Sequence, residues 1–246
     1  MITVVIPTLN EEENIASVVN FAKGHPLVTE VIVVDDQSID KTVKIAQKNG
    51  AKVITSTKLG KGASMNDGVL CAANDIIVFL DGDIDPYPHY TIKLLTDPIL
   101  HREVDFVKSS FSRNAGRVTE LVAKPLLSIF FPDLLRFTQP LSGMIAGRKS
   151  FFEKIDFRDD YGVDIGILID FYLMNVRMKE VEIGYIENKS HSLHSLGKMS
   201  KEVAQTIILK AASTKNPHYN FEEMGVLNEI RSQMDFALKA HLEDLD

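Results

Sequence analysis

Short apolar runs and helical stretches take turns through the first part of the chain, and most of the runs end in polar or acidic residues. Residues 2–6, 31–34, 52–55 and 76–80 are rich in Val and Ile. The first run is followed by Pro7-Thr8-Leu9-Asn10-Glu11, the second by Asp35-Asp36 and the fourth by Asp81-Gly82-Asp83. Continuous runs of this length suit strands covered on both faces. Residues 11–23, 41–49 and 63–73 read as helices, with Asn49-Gly50 as a stop signal. Strand, helix, strand, helix in that order predicts a mostly parallel sheet with right-handed crossovers. Ligands of such sheets bind beyond the carboxyl ends of the strands. One sheet edge should therefore carry a polar, acidic site.

Residues 104–109 predict a fifth strand and residues 181–186 a further short one. Two helical stretches follow, parted by Lys215-Asn216-Pro217-His218. In the last, residues 221–246, seven acidic residues outnumber two basic ones, while apolar residues from Val226 to Leu242 recur at helical spacing. That stretch is expected to pack on the domain or on a partner subunit. The 246 residues suit one α/β domain, with a first half at 1–103, a second at 104–199 and a helical extension at 200–246.

Composition narrows the class. A net charge of −7 speaks against nucleic-acid binding, which needs a basic surface. No apolar run reaches the roughly 20 residues of a spanning helix. The single cysteine, Cys71, cannot form an intramolecular disulfide. The N-terminus enters a strand without the charged region that opens a signal peptide. A cytoplasmic location is expected. Within this acidic chain, Lys108, Arg113, Arg117, Lys124, Arg136, Arg148 and Lys149 form a basic island, offset only by Glu120 and Asp133. It reads as a solvated helix face or as a pocket for an anionic substrate.

Asp81 and Asp83 flank Gly82 directly after a strand. Such carboxylates offer hard oxygens to a divalent cation that keeps waters and takes phosphate oxygens; an acidic turn before the next helix is the plainer reading. Asp35-Asp36 stands at the matching place after the second strand. A carboxylate there suits ribose hydroxyls or a base edge, and Ser38 or Asp40 could cap the following helix. Gly60-Lys61-Gly62 opens a helix; its glycines allow close approach to a ligand, and Lys61 with the helix N-terminus favours a phosphate. The spacing is not that of a Walker loop. Gly116-Arg117-Val118-Thr119 joins backbone N–H groups, a guanidinium and a hydroxyl in one turn, which suits phosphate or carboxylate. His191 and His194 stand three apart, as structural histidines or, where one meets the acid-Gly-acid turn, as a ligand for a divalent metal. A Gly-x-Ser-x-Gly elbow and a Gly-x-Gly-x-x-Gly fingerprint are both absent from the sequence, which counts against an α/β-hydrolase and a nicotinamide enzyme.

Three segments together resemble nucleotide-sugar glycosyltransferases of the GT-A fold. They are Val-Val-Ile-Pro-Thr-Leu-Asn-Glu-Glu-Glu-Asn-Ile at 4–15, Val-Val-Asp-Asp-Gln-Ser-Ile-Asp-Lys-Thr at 33–42 and Asp81-Gly82-Asp83. The middle of the chain is more discriminating. Arg-Asn-Ala-Gly-Arg-Val-Thr-Glu-Leu-Val-Ala-Lys-Pro-Leu-Leu at 113–127, Gln-Pro-Leu-Ser-Gly at 139–143, Ala-Gly-Arg at 146–148 and Tyr-Gly-Val-Asp-Ile-Gly at 161–166 resemble the glucosyl-3-phosphoglycerate synthase family. The likeness runs from Thr3 to about Met199.

The resemblance implies an α/β, Rossmann-like GT-A fold with a mostly parallel central sheet flanked by helices and a helical C-terminal extension. It implies a metal-dependent hexosyltransferase that moves glucose, with retention, from an NDP-glucose (UDP-glucose foremost) to 3-phosphoglycerate. Mg2+ or Mn2+ is the implied cofactor, a nucleotide-sugar donor and a small anionic acceptor the implied ligands, and a homodimer the implied assembly. Donor binding falls to Pro7, Thr8, Leu9, Glu11, Asp36, Lys61, Asp81, Gly82 and Asp83. Acceptor binding falls to Gly116, Arg117, Val118 and Thr119, metal binding to Asp83 and His191, and catalysis to Lys61, Arg117 and Asp164. Asp164 stands where the family has glutamate, so its carboxylate is drawn back by one methylene. Two other readings share the same donor motifs: a transferase to a polyprenyl phosphate, for which the apolar residues 126–135 could touch a bilayer, and a nucleotide-sugar-binding protein without turnover. The Gly-Arg-Val-Thr turn favours the soluble acceptor.

Overall fold

Each apolar run becomes a strand and each stretch between becomes a helix in the computed structural model, which describes residues 1–112, 116–186 and 192–214. In chain order the elements are β1 (Ile2–Thr8), α1 (Ile15–Lys23), β2 (Val28–Asp35), α2 (Thr42–Lys48), β3 (Lys52–Thr55), α3 (Lys61–Cys71), β4 (Ile76–Phe79), α4 (Thr91–Leu100) and β5 (Phe106–Ser112). A π turn (Thr119–Ala123) runs into α5 (Lys124–Phe130), followed by a 3-10 turn (Pro132–Arg136), β6 (Ile145–Arg148), α6 (Lys149–Phe152), α7 (Val163–Leu173), β7 (Met178–Tyr185) and α8 (Leu193–Ser213). Contacts divide the chain into two compact units, residues 1–208 and 209–246, and the sheet lies in the first. The acidic helical stretch expected at 221–246 and the break at 215–218 lie outside the described residues.

Among the described residues seven strands form one sheet in the order β3-β2-β1-β4-β6-β5-β7. β1 pairs in parallel with β2 on one side and β4 on the other. The chain thus leaves β1 in two directions across the sheet, and the crevice at such a switch point lies beyond the strands' carboxyl ends. β6 is a strand that the sequence pattern does not announce. It runs antiparallel between β4 and β5, with Ile76 opposite Arg148 and Phe106 opposite Gly147. Its Ala146-Gly147 centre has little β propensity of its own, so the pairing of two flanking strands sets its conformation. The sheet is therefore mixed, with its remaining pairings parallel.

Apolar side chains fill the layer between the sheet and its helices. On one face Val4, Ile6, Val33 and Val78 meet Ile15, Val18 and Val19 of α1 and Ile92 and Leu95 of α4, all of them buried. α3 packs tightly on the sheet: a Cβ on Gly68 would stand 2.3 Å from Val5 Cγ1. A residue without a side chain is what allows that approach. The apolar segment 126–135 divides between inside and outside. Leu127, Phe131 and Leu134 are buried, whereas Ile129 and Leu135 are exposed. No described helix is long and apolar enough to cross a membrane.

Candidate active site

Fourteen of the expected site residues come together on a single cavity of about 330 Å³. Pro7, Thr8, Leu9 and Glu11 reach it from the end of β1, and Asp36 from the end of β2. Asp81, Gly82 and Asp83 come from the end of β4, and Lys61 from the start of α3. Gly116, Arg117, Val118 and Thr119 line it as well, and Asp164 joins them from the first turn of α7. His191 lies outside the described residues. His194 is exposed in the first turn of α8 and is not among the lining residues.

The loops after β1 and β2 hold each other by side-chain to backbone bonds. Ser38 Oγ accepts the Asn10 N–H at 2.9 Å, and Asn10 Oδ1 accepts the Ile39 N–H at 2.9 Å. Asn10 has φ +56°, a left-handed conformation that asparagine tolerates. Thr42 Oγ1 accepts the Glu11 N–H at 2.8 Å. Asp40, rather than Ser38, takes the Thr42 N–H at the start of α2, at 2.9 Å. Asp36 has a second task besides lining the cavity: its carboxylate accepts the Gly60 N–H at 2.9 and 3.1 Å, which anchors the start of α3.

The glycines of Gly60-Lys61-Gly62 serve a different purpose from the expected close approach to a ligand. Gly60 has φ +120°, and its Cβ would stand 2.1 Å from the Asp159 carbonyl oxygen. A Cβ on Gly62 would stand 1.6 Å from the Arg158 carbonyl oxygen. The Gly62 N–H donates to Asp159 O at 3.0 Å. The glycines therefore admit the chain's own 158–159 backbone, and of the three residues Lys61 alone lines the cavity.

Lys61 sits between two carboxylates. Its Nζ is 2.9 Å from Asp81 Oδ1 and 2.9 Å from Asp164 Oδ2. Burial by itself lowers an ammonium's pKa, but the charges of Asp164 and then Asp81 outweigh it, so Lys61 is held above the ordinary lysine range. Tyr87 is buried behind Asp81, and its hydroxyl donates to the Asp81 carbonyl oxygen at 2.8 Å. Burial, and then the negative charges of Asp81 and Asp83, raise that phenol well above its usual value, so it remains a donor. Two buried lining atoms, Asp164 Oδ1 and Ser64 Oγ, have no hydrogen-bond partner among the described residues. Buried polar atoms normally have one, so both are suited to meet a polar ligand.

The basic island does not fold into one patch. Arg113 lies outside the described residues, and of the rest only Arg117 lines the cavity. Arg148 binds Asp75 and Asp105, Lys124 pairs with Glu120, and Lys149 donates to the Ala72 carbonyl oxygen. Arg136 stacks on Phe137, and Lys108 is fully buried. Charges close in sequence were sent to different faces by the strands and turns that carry them.

Several lining residues had no place in the sequence reading. Tyr161 and Leu141 fall inside blocks already singled out, and Ser64 is one helical turn from Lys61. Leu196, Met199 and Val203 of α8 form an apolar wall. Their helical spacing is legible, but the pattern does not say what the stripe faces.

An open α/β sheet whose switch point holds an acid-Gly-acid turn, a lysine and a basic loop is the construction of a sugar-nucleotide-using transferase. A family model described as Glycosyl transferase family 2 matches residues 3–159. Glucosyl-3-phosphoglycerate synthase of Petrotoga mobilis is 35% identical over 236 residues, covering 84% of this chain and 72% of the relative. That of Mycolicibacterium smegmatis is 36% identical over 231 residues, covering 84% and 76%. The Mycobacterium tuberculosis enzyme, solved with Mn2+, UDP-glucose and phosphoglyceric acid, superposes with a TM-score of 0.82 at 33% identity over 88% of this chain and 81% of that one. The chain is a glycosyltransferase of family 2 with the GT-A fold, and it belongs to the glucosyl-3-phosphoglycerate synthase family.

Proposed function

We propose that the protein transfers glucose from UDP-glucose to the hydroxyl of 3-phosphoglycerate, with retention at the anomeric carbon. One observation carries the reading: a single cavity joins the sheet-edge carboxylates and Lys61 to the Gly116–Arg117–Thr119 wall. Solved relatives bind UDP-glucose with phosphoglyceric acid, and UDP with glucosyl-3-phosphoglycerate, in the presence of Mn2+.

Pro7, Thr8, Leu9, Glu11 and Asp36 hold the nucleoside at the ends of β1 and β2. Lys61 gives two of its three ammonium N–H groups to Asp81 and Asp164 and donates the third to the diphosphate. Arg117 and Thr119, with the Gly116 and Val118 backbone, take the acceptor's phosphate and carboxylate, for which a guanidinium is well shaped. Asp164 Oδ1 receives a hydroxyl of the sugar or the acceptor. Holding both substrates in one cavity makes the reaction effectively intramolecular. The bond from C1 to the diphosphate oxygen breaks, and a bond from C1 to the acceptor oxygen forms on the same face. The acceptor's proton passes to the departing phosphate oxygen.

Among the described residues no group of three His, Cys, Asp or Glu could hold a metal ion. Asp81 and Asp83 offer hard oxygens only, a donor set that fits Mg2+ or Mn2+ completed by diphosphate oxygens and water. Asp83, with His191, would hold that ion, which when bound supplies positive charge for the leaving diphosphate. A cytoplasmic location agrees with the single cysteine, Cys71, which is exposed. A homodimer agrees with Leu121, Ile129 and Leu135, which leave apolar surface on one stretch of chain.

The test is a matrix of UDP- and GDP-sugars against 3-phosphoglycerate and other acceptors, with Mg2+ or Mn2+. UDP release only with UDP-glucose and 3-phosphoglycerate, and a product of unchanged anomeric configuration, is expected. Absence of nucleotide release across the matrix would overturn the reading.

A further inference from the structure

Lys108 belongs to the basic island but not to the cavity. It lies on β5, is 0% exposed, and is among the largest fully buried side chains. Its Nζ donates to two backbone carbonyls, Ser142 O at 2.8 Å and Asp164 O at 3.3 Å. Burying an ammonium is expensive, and an apolar chain of the same length would fill the space without that penalty. The charge therefore calls for a reason beyond packing.

The two carbonyls supply one. Ser142 precedes Gly143, and a Cβ on Gly143 would stand 2.5 Å from Lys61 Nζ and 2.6 Å from Asp81 Oδ1. That loop thus forms one side of the Lys61 site. Ser142 is fastened a second time, since its Oγ lies 2.7 Å from Ser109 Oγ and accepts the Met144 N–H at 3.2 Å. The other carbonyl belongs to Asp164, whose carboxylate accepts from Lys61 Nζ at 2.9 Å. One ammonium on β5 thus ties the loop before β6 to the first turn of α7, and both pieces bear on Lys61. Its charge also offsets Asp164, the carboxylate that acts on it most strongly.

We propose that Lys108 is a positioning residue, which fixes the Gly143 loop and Asp164 so that Lys61 stays clamped between Asp164 and Asp81. The kinetic consequence rests on the transferase reading; the placement of Lys61 does not.

Lys108→Met keeps the buried volume and removes the ammonium. In folded protein, kcat is expected to fall about 100-fold, the scale of a misplacement near 1 Å, while KM for both substrates stays within about threefold. Limited acetic anhydride labelling, mapped by mass spectrometry, should show Lys61 acetylated several-fold faster than in the parent. Parent-like kcat and parent-like Lys61 labelling overturn the proposal. If the parent shows no turnover, the transferase reading fails, and the labelling ratio still decides this one. If Lys108→Met does not fold, Lys108→Gln, which retains a donor for Ser142 O, takes its place. Loss of the fold in both variants makes Lys108 structural and overturns the proposal as well.

Discussion

Replacing Gly143 by alanine adds one methyl group beside Lys61 and Asp81. The backbone accepts it, because φ of Gly143 lies outside the left-handed region. At an open position such a change usually stabilises by about 0.4–1 kcal/mol, through the unfolded chain. Here the new Cβ would stand 2.5 Å from Lys61 Nζ and 2.6 and 3.0 Å from the Asp81 carboxylate oxygens. A comfortable contact is about 3.5 Å, so Lys61 or Asp81 must retreat by about 1 Å. Lys61 cannot retreat freely, since its Nζ is held at 2.9 Å by Asp81 and by Asp164. One of those bonds is lost. A hydrogen bond to a charged group contributes about 1.5–3 kcal/mol, equivalent to roughly 10–100-fold. Steady-state UDP release should show kcat/KM for UDP-glucose reduced by that factor. Overpacking costs about 1–3 kcal/mol, so thermal melting should show Tm lowered, against the rise expected at an open glycine. An alanine variant with the parent's kcat/KM and a raised Tm would refute the reasoning, because Lys61 would then not be confined there.

Arg117→Ala should raise KM for 3-phosphoglycerate by about 10–100-fold, the range of a lost charge-assisted bond, and leave UDP affinity by calorimetry unchanged; a donor-side effect would reassign the turn. Burial lowers Lys108 to about 8 from the usual 10.5, only partly offset by Asp164. The unfolded chain then binds more protons between these values, so this group makes stability rise with pH across that window, by at most about 1.4 kcal/mol per unit. Denaturant titrations from pH 7 to 10 should show the parent gaining on Lys108→Met, and parallel profiles would contradict the buried ammonium. Chelation should abolish transfer, and Mn2+ or Mg2+ should restore it; full turnover in excess chelator would remove the metal from the account. Alkylating Cys71, exposed at the end of α3 and away from the cavity lining, should leave kcat within about twofold.

Much of the architecture was written locally. The runs at β1, β2, β3 and β4 carry their own β-branched signal, and the turns that follow them carry the polar residues. Their side chains reached one cavity because strands of a parallel sheet end on the same edge. β6 was not legible, since Ala146-Gly147 has no strand preference apart from its neighbours. The basic island dispersed for the reverse reason. Residues close along the chain need not be close in space: Arg117 lines the cavity, Arg148 pairs with Asp75 and Asp105, and Lys108 lies inside the core.

The sequence by itself determined the alternation of elements, the acidic sheet edge, the Gly116-Arg117-Val118-Thr119 turn and the family likeness, because each is carried by contiguous residues. Only the tertiary structure decided which partners those residues took. Asp164 lies 103 positions from Lys61 in the chain and 2.9 Å from it in space. Gly60 and Gly62 turned out to admit the protein's own backbone, and Lys108 to sit behind the site holding two carbonyls. Such contacts join residues remote in sequence, and no local pattern encodes a distance that is set only when the sheet and helices have packed.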